Sequence, residues 1–135
     1  MRSRLLAGGL GLFAVLAAAG AIACVWAVGW TFTDALEAFV VSNILIGVSF
    51  GLCGALIAWH RPSSALGWMY AVGGVCQATS ALAAPLAELL HNWGADEWVV
   101  RLDATVFQWA WPINITLLPI SLLLLPDGRL ASRRW

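Results

Sequence analysis

Four long apolar stretches, separated by short polar connectors, leave this chain few ways to fold. They run from about Leu5 to Trp30, Ala38 to Trp59, Leu66 to Leu90 and Ala104 to Leu125. At about 1.5 Å per helical residue, each is long enough to cross a hydrocarbon layer about 30 Å thick. Of 135 residues, 61% are hydrophobic and 10% charged, against about 45–50% and about 25% in ordinary globular chains. A water-soluble core of this size could not hide so much apolar surface, so the expected solvent is lipid. The predicted fold class is all-α: an integral membrane, four-transmembrane-helix bundle, a single domain over 1–135 with a basic tail at 126–135.

Arginine placement predicts the orientation. Arg2 and Arg4 precede the first stretch, Arg61 follows the second, and Arg129, Arg133 and Arg134 follow the fourth, so six of the seven arginines fall on one side. The positive-inside rule makes that side cytoplasmic. Asp34, Glu37, Asp96, Glu97 and Asp103 collect opposite, with Glu88 close by. Both termini are therefore expected inside, in a multi-pass protein of a bacterial inner membrane. Trp30, Trp59, Trp68, Trp93 and Trp98 sit near the proposed span ends, where indole rings favour the headgroup level. A rival reading of the first stretch is a secretory signal, with Ala21-Ile22-Ala23-Cys24 as a loose lipoprotein cleavage box. The apolar run continues to Trp30, too long for a signal core.

The inventory for chemistry is thin. Zero formal charge argues against nucleic acid as a partner. Cys24, Cys53 and Cys76 lie in apolar runs and form no CxxC pair, so small buried hydrophobes are the expected role. His60 and His91 fall at opposite membrane faces and cannot share a metal or haem. No Ser/His/Asp or Cys/His set can be assembled, and no charged residue falls at mid-membrane depth, where ion-coupled carriers usually keep one. The expectation is a non-catalytic chain without metal or cofactor.

Within the spans, packing in lipid relies on close approach and buried polar contacts. Asn43, Gly47, Gly51 and Ala55 recur every four residues and predict a close helix contact, either internal or between copies of the chain. Gly74 and Ala78 offer a matching step. Counted from the outer ends, Gln77 and Asn114 share one depth, and Asn43 and Gln108 another. Two interhelical amide hydrogen bonds are one reading; a small ligand pocket lined by these amides is the other. Pro112 and Pro119 interrupt the fourth span and could open a cleft near Asn114 and Thr116. Pro85 interrupts the third.

Two cytoplasmic segments carry a family resemblance. One is His60-Arg61-Pro62-Ser63-Ser64-Ala65-Leu66-Gly67-Trp68; the other is Leu124-Leu125-Pro126-Asp127-Gly128-Arg129-Leu130-Ala131-Ser132-Arg133-Arg134-Trp135. Read physically, Pro126-Asp127-Gly128 makes a tight turn, and Arg129, Arg133 and Arg134 face anionic headgroups. Together the two segments resemble turns in the membrane-embedded N-terminal region of actinobacterial sensor histidine kinases. Ser64-Ala65 stands where that family carries Asn-Pro, and Ala131 where it carries Pro. The resemblance implies a membrane sensory or input module of a two-component system, with a cytoplasmic kinase domain or another membrane protein as partner. Neither His60-Arg61 nor His91-Asn92 resembles a phosphoacceptor site, and no ATP-binding box appears, so the ending at Trp135 reads as a fragment, a truncated frame or a stand-alone sensor half. The alternatives are a small transport or permeation protein, oligomeric through the Gly47/Gly51 face, and a structural accessory subunit of a larger membrane complex.

Overall fold

A computed structural model describes residues 2–124. These form five helices: α1 (Arg2–Val28), α2 (Phe32–Glu37), α3 (Val40–His60), α4 (Ala65–Asn92) and α5 (Glu97–Leu123). Pro126, Asp127, Gly128, Arg129, Arg133 and Arg134 lie outside the described residues. Among the described residues there is no strand, and three helices are long and apolar enough to cross a membrane: α1, α3 and α5. The outer surface fits that solvent. Leu12, Leu16, Leu45, Leu56, Trp109 and Leu122 are all exposed, whereas the largest fully buried side chains are only Val40, Pro85, Ser80 and Ser121.

The interior is therefore built of small residues. Every buried position of α1 is Ala or Gly. Between α3 and α4 the crossing repeats in antiparallel register, with Gly47 on Ala78, Gly51 on Gly74, Gly54 on Ala71 and Ala58 on Gly67. A Cβ at Gly47 would stand 2.7 Å from the backbone nitrogen of Ala78, closer than any side chain tolerates. α1 closes the same seam, Gly11 meeting Ala55 and Ala14 meeting Gly51. Van der Waals contact between backbones is the attraction available to helices in lipid, and only Gly and Ala permit it. The Gly47/Gly51 face is thus filled within the chain, by α4 and α1, and presents no free surface to a second copy.

α4 is the hub, packing on α1, α3 and α5. At 28 residues it is the longest helix, yet it is not among the three apolar enough to cross a membrane on composition. Its Gly67, Gly73, Gly74, Gln77 and Ser80 face protein, and Val72 is its only exposed large hydrophobic residue. A helix surrounded by neighbours has little surface on which to carry lipid-facing leucines.

The helix ends differ from the sequence-based boundaries in two places. Thr31–Glu37, expected as a connector, contains α2, capped by a reciprocal box in which Asp34 N–H donates to Thr31 Oγ1 (3.3 Å) and Thr31 N–H donates to Asp34 Oδ2 (2.7 Å). α5 begins at Glu97, so the expected connector from His91 to Asp103 shrinks to a short break after Asn92. Gly94, at φ +70°, ends α4, with Ala95 N–H donating to Leu90 C=O and Gly94 N–H to His91 C=O. Gly29, at φ +81°, ends α1 by the same pair of bonds, from Trp30 N–H to Val25 C=O and from Gly29 N–H to Trp26 C=O. Asp103 consequently lies in the second turn of α5, half-buried, with Oδ2 unpartnered among the described residues.

The Arg61-Pro62 turn is a latch. Arg61 N–H donates to Ile57 C=O at 2.7 Å as α3 stops, and Ser64 N–H donates to Arg61 C=O at 2.9 Å. The Trp68 indole N–H reaches back to Pro62 C=O at 2.9 Å. Gly67 lets the first turn of α4 lie directly on Ala58. Arg61, Pro62, Gly67 and Trp68 therefore act together to fix how α4 leaves α3.

Candidate functional site

α5 packs closely on one neighbour only, with Asn114 against Gly73. It lies almost wholly on α4 and stands away from α3. Bulky residues at a four-residue spacing, Phe107, Trp111 and Ile115, form the ridge it presents toward that gap. The result is a cleft of about 560 Å³ between α3 and α5, floored by α4 at Gln77. Phe39, Ser42, Asn43 and Ile46 form its α3 wall, and Gln108 joins the ridge on the other.

A buried polar network underlies the cleft. Gln77 Nε2 donates to Asn43 Oδ1 at 2.6 Å, and Asn43 Nδ2 donates to Ser80 Oγ at 3.4 Å. All three residues are buried, Gln77 to 6% exposure. Gln77 Oε1 is buried with no hydrogen-bond partner among the described residues. An unpaired amide oxygen in such surroundings costs about 1–3 kcal/mol.

The amides pair differently from the depth-matched expectation. Gln77 bonds Asn43 rather than Asn114, and Gln108 lines the cleft with no hydrogen bond among the described residues. Asn114 is buried against Gly73, where a Cβ would stand 2.5 Å from Asn114 Oδ1. Depth counting assumed that the helices end flush. In the observed register α4 runs about two turns past the start of α3, which brings Asn43 within reach of the Gln77 side chain.

The prolines act at this wall. Pro112 has no N–H to donate to the carbonyl of Gln108, and Pro119 none for that of Ile115. Both of those residues line the cleft. The cleft lies beside Gln108 and Trp111, displaced from the expected position near Asn114 and Thr116. Thr116 Oγ1 instead donates to Pro112 C=O at 2.8 Å.

Ser80 and Phe39 are among the members that escaped sequence reasoning. Ser80 sits three residues after Gln77, the helical spacing that puts both on one face, and that signal was readable. Phe39 was not readable. It begins α3 at φ 59°, a left-handed conformation unusual for an aromatic residue, and it is exposed at the cleft. Its carbonyl accepts from Asn43 N–H at 2.9 Å and Ser42 Oγ at 3.0 Å, which holds the turn.

Among the described residues, no three His, Cys, Asp or Glu side chains gather as a metal site, and Cys24, Cys53 and Cys76 are free thiols. The cleft's own groups are amides, a hydroxyl and aromatic rings, suited to holding a molecule by hydrogen bonding and apolar contact. In comparisons with known proteins, no family model matches the chain, and no curated protein or solved structure matches it.

Proposed function

We propose that this chain is a membrane-embedded input module with four crossings, both ends cytoplasmic, in which α5 shifts against a fixed α1–α3–α4 core. The carrying observation is the contrast in packing. α1, α3 and α4 close on one another through Gly and Ala with no room to slide, while α5 rests almost wholly on α4 beside an amide-lined cleft. Pro112 and Pro119 weaken the backbone of the mobile helix at two points. Such a helix moves at lower cost than one locked in a glycine seam, which suits an element that must adopt two arrangements.

Two further features support the reading. The arginine distribution favours α4 as the fourth crossing, since Arg61 precedes it and the acids of the Asp96–Asp103 region follow it. The sequences around Arg61-Pro62 and Pro126-Asp127-Gly128 resemble segments of the sensor regions of actinobacterial histidine kinases, which suggests a cytoplasmic signalling domain as the partner. Catalysis would belong to that partner.

Spin-label distances in lipid nanodiscs test the reading, with Cys24, Cys53 and Cys76 replaced by Ala. Labels at Leu45→Cys on α3 and Leu118→Cys on α5 are expected to give a distribution with more than one component. Labels at Leu12→Cys on α1 and Leu52→Cys on α3 are expected to give one narrow component. A single narrow distance for both pairs would contradict a moving α5.

A further inference from the structure

At the arginine-bearing end of the bundle, α3 and α4 leave a groove of about 430 Å³ between them. Leu56, Ile57, His60 and Arg61 form one wall, and Leu66 and Tyr70 the other. Leu56 and Arg61 are exposed. The apolar part lies inward of Arg61. Leu56 and Ile57 stand about one turn deeper on α3, and Tyr70 lies roughly 8 Å along α4 from its first residue. Tyr70 packs edge-on against Phe50, ring centroids 5.2 Å apart, and marks the inner end.

The charge around this groove is of one sign. Arg2 and Arg4 begin α1 at the same end, where Gly8 approaches the Trp59 ring. Among the described residues the acids Asp34, Glu37, Glu88, Asp96, Glu97 and Asp103 all sit at the other end. The one salt bridge among those residues joins Arg101 to Glu97, so Arg61 has no acidic partner among them. His60 Nδ1 donates to Leu56 C=O at 2.9 Å and is tied to its own helix. Arg61 is the cation left at the mouth.

We propose that this groove seats one anionic phospholipid, its phosphate against the Arg61 guanidinium and the upper part of an acyl chain along Leu56, Ile57 and Leu66. Basic pockets between membrane helices at a bilayer surface favour such headgroups. The proposal rests on the four-crossing arrangement, which puts the α3–α4 turn at a lipid surface, and is independent of any shift of α5. The turn itself uses only main-chain groups of Arg61, so its side chain can engage a phosphate without loosening the fold.

Three other occupants fit less well. A zwitterionic phospholipid suits the apolar wall but brings a second cation to an end that is already positive. The chain's own segment 125–135 has one acid, Asp127, against three arginines, and so meets Arg61 with the same sign. A free phosphate would leave the apolar wall uncovered.

The test is native mass spectrometry of the full chain in detergent, titrated with dioleoylphosphatidylglycerol or dioleoylphosphatidylcholine, which share their chains and differ in charge. The wild type is expected to retain one phosphatidylglycerol about fivefold more strongly than phosphatidylcholine, the factor one arginine near a lipid surface provides. Arg61→Gln is expected to bring the two lipids to parity, and Arg61→Lys to keep the preference. Arg4→Gln, outside the groove, is expected to leave it unchanged. Leu56→Ser is expected to weaken both lipids and preserve their ratio. Should Arg61→Gln fail to fold, a phosphatidylglycerol with a photoreactive acyl chain still decides, by labelling the stretch from Leu56 to Tyr70. Equal retention of the two lipids by the wild type, a preference that survives Arg61→Gln, or labelling confined to other stretches would overturn the proposal. Displacement by excess glycerol 3-phosphate would also overturn it, as a site for a soluble anion. Retention that emerges only after residues 125–135 are removed would do the same, because the tail would then hold the groove.

Discussion

At Gly54 a β-carbon would fall onto the backbone nitrogen of Ala71, whereas at Gly9 it would meet nothing within 4 Å. The two glycines look alike in sequence, each inside an apolar helix, and only their neighbours separate them. Gly54→Ala is therefore expected to destabilise the folded chain by about 1–3 kcal/mol through overpacking against backbone that cannot yield. Gly9→Ala is expected to leave stability unchanged or raise it by up to about 1 kcal/mol, because alanine restricts the unfolded chain. Unfolding midpoints in mixed micelles would check both, and equal effects would contradict the packing described here. The four-residue repeat from Asn43 to Ala55 made this seam legible before the structure. Its partners were less legible, because a small-residue face indicates close contact without saying what makes it. The same limit applied to the amides. Asn43 and Gln77 were recognisable as buried polar groups in search of partners, but their pairing depends on how far α4 overshoots α3, which no local pattern encodes.

The short helix α2 is where local chemistry was readable and was passed over. Thr31 and Asp34 stand at the spacing of a capping box, and the structure forms it. The hydrogen bond from the Thr31 side chain, followed by that from the Thr31 backbone N–H, holds the Asp34 carboxyl below its ordinary value. A depressed carboxylate pKa contributes stability that is fully present above the unfolded value and lost as pH falls through the folded one. The α2 cap is thus expected to be intact at neutral pH and to release in acid, below the usual carboxylate range. Side-chain carboxyl NMR should find Asp34 titrating low in the wild type and returning toward the ordinary value in Thr31→Ala. No difference between the two would contradict the cap. At α5, too, a helix forms where a connector was expected. Glu97, Arg101 and Asp103 suggested an open connector, but a helix absorbs such charges readily at its exposed start, where Glu97 and Arg101 pair at 2.7 Å one turn apart. Gly29 and Gly94 marked the true helix ends.

At the scale of the whole molecule, a helix with little apolar surface of its own is sheltered by three others. Composition alone identifies α1, α3 and α5 as able to cross a membrane, and α4 falls below them because its small and polar residues face protein. The proposal that it crosses rests instead on charge: Arg61 before it, and Asp96 and Glu97 after it. The all-helical class and the large helices could be anticipated from periodic apolar stretches. A cleft beside the fourth span could be expected from its prolines, but not its place, which follows from α5 leaning on α4 and leaving α3 uncovered. The four-crossing arrangement underlies both the input-module reading and the ligand proposal, and α4 is the helix on which it turns. Single cysteines at Ser64→Cys and Asp96→Cys, in a chain otherwise free of cysteine, bracket that helix. In intact cells a membrane-impermeant maleimide is predicted to label position 96 from outside and to reach position 64 only after the membrane is opened. Labelling of both positions from the same side would mean that α4 does not cross, and would contradict the account.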